Sequence, residues 1–332
     1  GINSRMFIFA LWNSHQSIRH KLRNCFYWTD CSRLRSLLGI TSPDDSSLYQ
    51  SSSDSSSSDL KTKVDWSGYN NYYYSLFDSE SIISDLAFVL RDTVSYVQYQ
   101  NATNIDITNT TKGGQYILYD DTDIVIPLGG WPSGGNYTID NYGTYSVDRE
   151  HIWACSNMRI MPSSKSRSLS SYVDYEVNDG SFDYRPEQTN KGHFSDMHNL
   201  WSAARYANQT LHSDHFFGEK NGTSKSPYLQ SGAFYPGEEF IGDIARVLFY
   251  MTLMYPHLTL VDEWDANAIE GTIYYGYLNT LLEWNIQDPG SLEEIARNQA
   301  IFDTQGNRNP FVDFYSQSIA SLIFENGDPN VL

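Results

Sequence analysis

The sequence predicts an α+β fold, a small sheet with mostly helices packed around it, and two periodicities predict it. Apolar residues recur at helical spacing through Ile82, Ile83, Leu86, Val89, Leu90, Val94 and Val97, and again through Ile241, Ile244, Ala245, Leu248, Phe249 and Met254. Shorter runs rich in β-branched and aromatic residues, Tyr116 to Leu128 and Thr144 to Trp153, read as strands bounded by polar and glycine turns.

Taken in order, the chain divides into four parts. Residues 1–41 are an N-terminal segment of mildly basic composition, with Arg19, Lys21, Arg23, Arg33 and Arg35 among scattered apolar side chains. A short helix and a processed leader both fit it. Residues 42–64 read as a Ser-rich disordered linker, too polar to offset the entropy of ordering. Residues 65–320 are expected to fold as one domain, with 321–332 as a C-terminal tail.

Within that domain, Ser81 to Val97 reads as an amphipathic helix, and Tyr116 to Leu128 as a strand, a polar turn and a second strand. A glycine-rich loop, Gly129 to Gly135, leads to the strand from Thr144 to Trp153. The polar stretch from Ser163 to Lys191 is either a plain surface loop or one whose basic residues grip a polyanion. After Leu200 a helix-like run passes through Ala203, Ala204, Tyr206, Ala207 and Asn208 toward Phe216-Phe217-Gly218. Gly237 to Tyr255 is a buried helix stopped by Pro256. Thr272 to Trp284 is a second helical pattern, and a third starts at a capping box of Ser291 and Glu294 and runs to about Asp303. It delivers the run from Gln305 to Asp313, whose composition is too structured for a mere connector.

The net charge of −18 argues against a basic surface built for tight nucleic-acid binding, because that affinity comes from Lys and Arg displacing counterions. Its distribution is uneven. Residues 149–225 carry nine basic and nine acidic side chains, so this segment is the neutral part of an acidic body. A site that anchors phosphate through a cation is compatible with such a body. No apolar run approaches the roughly 20 residues of a membrane helix, and the three cysteines imply no disulfide framework.

Asp148 to Gly218 holds the residues that can do chemistry. Glu150 is a hard oxygen ligand, His151 beside it a base that titrates near neutral pH, and Asn208 a second oxygen donor. A Glu-His dipeptide alone is a weak signal, and successive strand residues face opposite ways. The pair can act together only on a twisted or bulged strand, or on a phosphate lying across the strand edge. His151 and His198 as satisfied core histidines, and Asn208 as a solvent-facing residue, are the plain alternatives. Asn208 also heads an Asn-x-Thr triplet, and a glycan there would block the site.

Four separated motifs, in order, carry a resemblance. Arg149-Glu150-His151-Ile152-Trp153, Asp196-Met197-His198-Asn199-Leu200 with Asn208, Gly242-Asp243-Ile244-Ala245-Arg246, and Gln305 to Asp313 are similar to those of the endonuclease I family of secreted and periplasmic nucleases. That family is of the His-Me finger (ββα-metal) class. The resemblance implies a single divalent cation, Mg2+ with Mn2+ or Ca2+ as alternatives, held by Glu150 and Asn208. It implies His151 as the general base and DNA, with RNA as a further substrate, cut to 5′-phosphate oligonucleotides with little sequence preference. It also implies an extracellular, cell-surface or periplasmic location. Asp196, His198, Asn199 and Arg308 are expected to support the site structurally, and Arg246 to tie helices together.

The sequence departs from the family where an Arg and an Asn often follow the ligand amide, for here Leu211 and Ser213 stand near those places. Arg167 and Lys165 are the candidates to grip the phosphate instead. Beside an active endonuclease, the sequence leaves open a module of the same fold that binds nucleic acid without turnover. An acidic, tyrosine-rich structural protein would explain the composition but none of the motifs.

Overall fold

The computed structural model describes residues 64–79, 81–101, 113–120, 122, 136–139, 143–154, 157–158, 193–213, 215–218, 224–230, 232–255, 258–260, 262, 273–275 and 277–324. All of them fall in one compact unit spanning Asp54–Leu332. The expected Ser-rich linker (but for Val64), the N-terminal segment, the loop bearing Lys165 and Arg167, and Cys155 lie outside the described residues.

Helices and small sheets alternate along the chain, as the α+β reading expects. Helix α1 (Ile82–Thr93) buries Ile82, Leu86, Ala87 and Leu90 along one stripe. It stops short of Val97, because after Thr93 and Val94 the chain turns extended and the Ser95 amide donates to the Gln305 carbonyl at 2.6 Å. The expected strand at Tyr116 does not form; isolated bridges stand there instead, one of them from Leu118 to Ala203. Tyr119 next to it sits at φ +61°, which breaks the pleat. The second half of that expected hairpin lies outside the described residues.

The sheet that matters joins β1 (Asn136–Ile139), β2 (Gly143–His151) and β3 (Leu200–Ala204), in that spatial order and antiparallel throughout. Pairing is divided along β2. Gly143 to Ser146 face β1, and Val147 to His151 face β3. Past Ser146, therefore, the edge of β2 away from β3 has no strand beside it among the described residues. The stretch read as a helix after Leu200 is three pieces: β3, a π-helical turn (Ala207–His212) and the two-residue β4 (Phe216–Phe217). Helical spacing of alanines misled there, because Leu200 to Ala203 are buried on both faces of the sheet and carry no period of two.

Strands β5 (Tyr228–Gln230) and β6 (Ala233–Tyr235) complete a second sheet with β4. Helix α2 (Ile241–Met254) is buried along its whole length and forms the centre of the molecule. Short strands β7 (Leu258–Leu260) and β8 (Ile273–Tyr275) pair in parallel, so the pattern expected as one helix from Thr272 begins as a strand. Helix α3 (Leu278–Gln287) follows it and packs on α2.

Helix α4 (Leu292–Gln305) opens with the expected capping box and closes on Gly306 at φ +92°, a left-handed stop at which a Cβ would lie 2.5 Å from the Thr93 carbonyl oxygen. Asn309 then caps the short α5 (Pro310–Asp313) by accepting from the Phe311 amide. Helix α6 (Ile319–Phe324) presses Phe324 on Phe249 and Phe311, with centroids 4.9 and 5.9 Å apart. The packed unit thus runs past residue 320, where a tail was expected to start. Each such ring, once buried, contributes about 1.5–3 kcal/mol. Among the described residues no helix is long and apolar enough to cross a membrane.

Buried polar residues tie these parts together. Arg246 donates Nε and Nη2 to Glu294 at 2.7 and 2.6 Å, and Nη1 to the Asp288 carbonyl at 2.8 Å. Arg308 forks onto Asp313 at 2.7 and 2.9 Å. Neither arginine reaches the residues of β2.

Candidate active site at the open edge of strand β2

The alternation of β2 places Asp148 and Glu150 on one face and Arg149 and His151 on the other. On the first face, Asp148 accepts from Arg205 Nε at 2.9 Å and from Gln209 Nε2 at 2.5 Å, which fastens the strand to the π-helical turn. Glu150 is only 3 % exposed, and its Oε1 accepts from the Tyr119 hydroxyl at 2.9 Å and from His212 Nδ1. His212 is fully buried and packs against the rings of Phe217 and Phe234.

On the second face, the His151 ring stacks on Tyr99 with an interplanar angle of 4° and centroids 5.7 Å apart. The Arg149 guanidinium covers the same tyrosine at 4.7 Å. His151 Nε2 lies 2.8 Å from the Phe194 carbonyl oxygen. A carbonyl can only accept, so Nε2 carries the hydrogen, and in the neutral ring Nδ1 is then the proton acceptor. The backbone thus selects the tautomer of His151.

Asn208 bridges the two faces. Its Nδ2 donates to the Arg149 carbonyl at 2.9 Å. Arg149 pairs with Ser202, whose own carbonyl accepts from the Leu118 amide and so points away from β2. In an antiparallel ladder both members of such a pair turn their polar groups outward. The Arg149 carbonyl therefore points to the open edge, and Asn208 sits there. The turn that carries it is wound by a bond from the Ser213 amide to the Asn208 carbonyl, five residues back, which puts Asn208 and His212 on one side. The strand is neither bulged nor broken, so a ligand touching both Glu150 and His151 has to lie across this edge.

Two oxygens at the site have no protein partner among the described residues: Glu150 Oε2, since both bonds to that carboxylate fall on Oε1, and Asn208 Oδ1, since the amide is held through its nitrogen. These are donors of the kind hard dications take. Among the described residues no group of three or more His, Cys, Asp or Glu could hold a metal. A cation here would rest on Glu150 and Asn208, with water and substrate oxygens completing its shell, and the donor set fits one.

The supporting residues lie behind the strand. Asp196 accepts from the hydroxyls of Tyr250 and Tyr255 at 2.8 and 2.6 Å, from Gln305 Nε2 at 2.9 Å and from the His198 amide at 3.0 Å. Asn199 brackets Trp153, accepting from its amide at 2.7 Å and donating to its carbonyl at 3.2 Å, and so continues the ladder where β2 ends. His198 is buried against Tyr250, and burial holds its pKa down at about 4. Arg308 belongs to the helical side of the molecule. Lys165 and Arg167 lie outside the described residues.

Sequence reasoning missed His212, Tyr119, Tyr99 and the Phe194 carbonyl. His212 had a signal, a histidine four residues after Asn208 on a helical segment. Tyr119 and Tyr99 had none, since they arrive from segments whose placement is tertiary, and a backbone carbonyl leaves no mark in a sequence.

Comparison with known proteins places the chain in a family. The chain is 35% identical over 134 residues to a protein named extracellular ribonuclease from Bacillus subtilis (strain 168), covering 38% of this chain and 46% of that protein. It is 32% identical over 175 residues to an extracellular ribonuclease of Bacillus amyloliquefaciens, covering 50% of each. The chain spans about half the length of the curated relatives it matches. Residues 93–315 match the family described as Endonuclease I, a range that includes β2, β3, the π-helical turn and the helices behind them. The chain belongs to the endonuclease I family.

Proposed function

We propose that this chain is a secreted, metal-dependent endonuclease of the His-Me finger class that hydrolyses phosphodiester bonds of RNA and DNA with little base preference. The observation that carries the reading is the His151 tautomer. With Nε2 committed to the Phe194 carbonyl at 2.8 Å, Nδ1 is an acceptor beside a strand edge that also carries Glu150 and Asn208. The two relatives named extracellular ribonuclease support a nucleic-acid substrate and an extracellular location. Strand β2, strand β3 and the helical turn follow one another as a ββα-metal unit requires.

Glu150 Oε2 and Asn208 Oδ1 would hold one divalent cation, Mg2+ first. When bound, it supplies charge neutralisation at the phosphate and the leaving oxygen. His151 takes the proton of the attacking water at Nδ1. The Tyr99 ring and the Phe194 carbonyl keep the imidazole from rotating as it gains charge. Contacts of this kind touch backbone and not base edges, which leaves sequence unread.

Digestion of RNA and DNA side by side, with and without chelator and with end-group analysis, tests the proposal. The expected result is chelator-sensitive cleavage to 5′-phosphate ends, lowered about 10²–10⁴-fold by His151→Ala, as for a lost general base. Intact RNA and DNA after incubation of the native chain with Mg2+ would refute it.

A further inference from the structure

Glu150, the acid assigned above to the metal, is held in an arrangement that packing alone does not explain. A carboxylate 3 % exposed and a fully buried imidazole have both been taken out of water. Desolvating two such groups is costly, and apolar residues of the same size would often serve stability as well or better. Tyr119 adds a second cost. It is a non-glycine residue at φ +61°, a strained left-handed backbone that L side chains rarely adopt. Its hydroxyl donates to the same carboxylate. Two independent costs thus converge on one atom, Glu150 Oε1, which accepts from Tyr119 at 2.9 Å and from His212 Nδ1.

We infer that His212 and Tyr119 are positioning residues that fill Glu150 Oε1, so that the carboxylate can offer a divalent cation only Oε2. This rests on Glu150 and Asn208 being the metal oxygens proposed above. It adds a consequence for which ion the site takes. A carboxylate restricted to one oxygen suits a small, octahedral ion that keeps its waters, such as Mg2+. Ca2+, which takes six to eight oxygens and accepts a carboxylate through both atoms, loses a ligand by the same restriction. The clamp therefore acts as a filter between two hard dications. His212 lies one helical turn beyond Asn208, so the same short segment supplies one ligand and shapes the other.

Calorimetric titration of the full chain with MgCl2 and with CaCl2 reads this without turnover. His212→Phe keeps a flat ring against Phe217 and Phe234 but removes the donor; His212→Asn restores an N–H near the place of Nδ1; Tyr119→Phe removes the other donor. His212→Phe should weaken Mg2+ binding about 10–100-fold, the usual effect of losing a partner behind a metal ligand. Ca2+ binding should fall less, so that the preference for Mg2+ narrows, and His212→Asn should recover most of the loss.

Equal losses for both ions would assign the pair to packing and overturn the inference, and so would native affinities and preference in His212→Phe. Should His212→Phe fail to fold, by near-ultraviolet circular dichroism, Tyr119→Phe decides by the same criterion, with His212→Asn expected to keep the native preference. A native chain that binds neither ion would instead bring down the metal reading of Glu150, and this inference with it.

Discussion

His198 shows how a side chain can match a family motif and still act only through the fold. Its ring lies 4.4 Å from Tyr250, and burial holds the folded-state pKa at about 4, below the ordinary 6.5. Above pH 6.5 neither the folded nor the unfolded chain binds a proton there, and stability is complete. As pH falls from 6.5 toward 4, the unfolded chain takes up a proton that the folded chain refuses, so stability drops by roughly 3 kcal/mol over that window. His198→Gln, which cannot titrate, should lose correspondingly less between pH 7 and pH 4 in urea unfolding. Parallel pH profiles for the two proteins would contradict this. His151, by contrast, is half-buried at the end of β2 with its tautomer fixed by the Phe194 carbonyl, and is the residue proposed above to act on substrate.

Helix α4 illustrates how one residue can serve both an end and a core. Glu294 closes the capping box, with Oε2 accepting from the Ser291 amide at 3.1 Å, and the same carboxylate takes both arms of Arg246. The two duties differ in size. Ser291→Ala removes one cap and should cost about 1 kcal/mol, while Glu294→Ala strands a fully buried guanidinium and should cost about 3–5 kcal/mol. Urea midpoints of the two variants check the order, and a Glu294→Ala cost no larger than that of Ser291→Ala would show that Arg246 finds another partner. Gly242 belongs to the same contact. A Cβ there would fall 2.0 Å from the Asp288 carbonyl oxygen and 2.7 Å from Arg246 Nη2, so this position on α2 admits no side chain.

Taken whole, the molecule is acidic, with a net charge of −18, and the nuclease activity proposed above could not rely on surface cations for affinity. A protein that covers six to ten phosphates with Lys and Arg loses about 10³–10⁵ in affinity between 50 and 200 mM salt. If substrate is anchored through the cation at β2, kcat/KM on RNA or DNA at fixed Mg2+ should fall less than about tenfold over that range. A steep salt dependence would point instead to a basic contact surface.

Much of this arrangement was legible in the chain. Helices α1, α2 and α4 announced themselves through apolar spacing and, for α4, through a capping box, since local rules of helix formation act on neighbours in sequence. Strand β2 and its Glu-His pair could be placed for the same reason. The stretch from Leu200 to Phe217 could not, because a strand buried on both faces and a short π-helical turn have no period of their own. Most of all, the sequence held Glu150, His151 and Asn208 but not the relation among them. Strand alternation turns the first two apart, and only the unequal pairing of β2, to β1 up to Ser146 and to β3 from Val147, opens the edge at which Asn208 sits. That edge, and the convergence of Tyr119 and His212 on one carboxylate oxygen, depend on contacts between segments 31 to 62 residues apart, which no local pattern encodes.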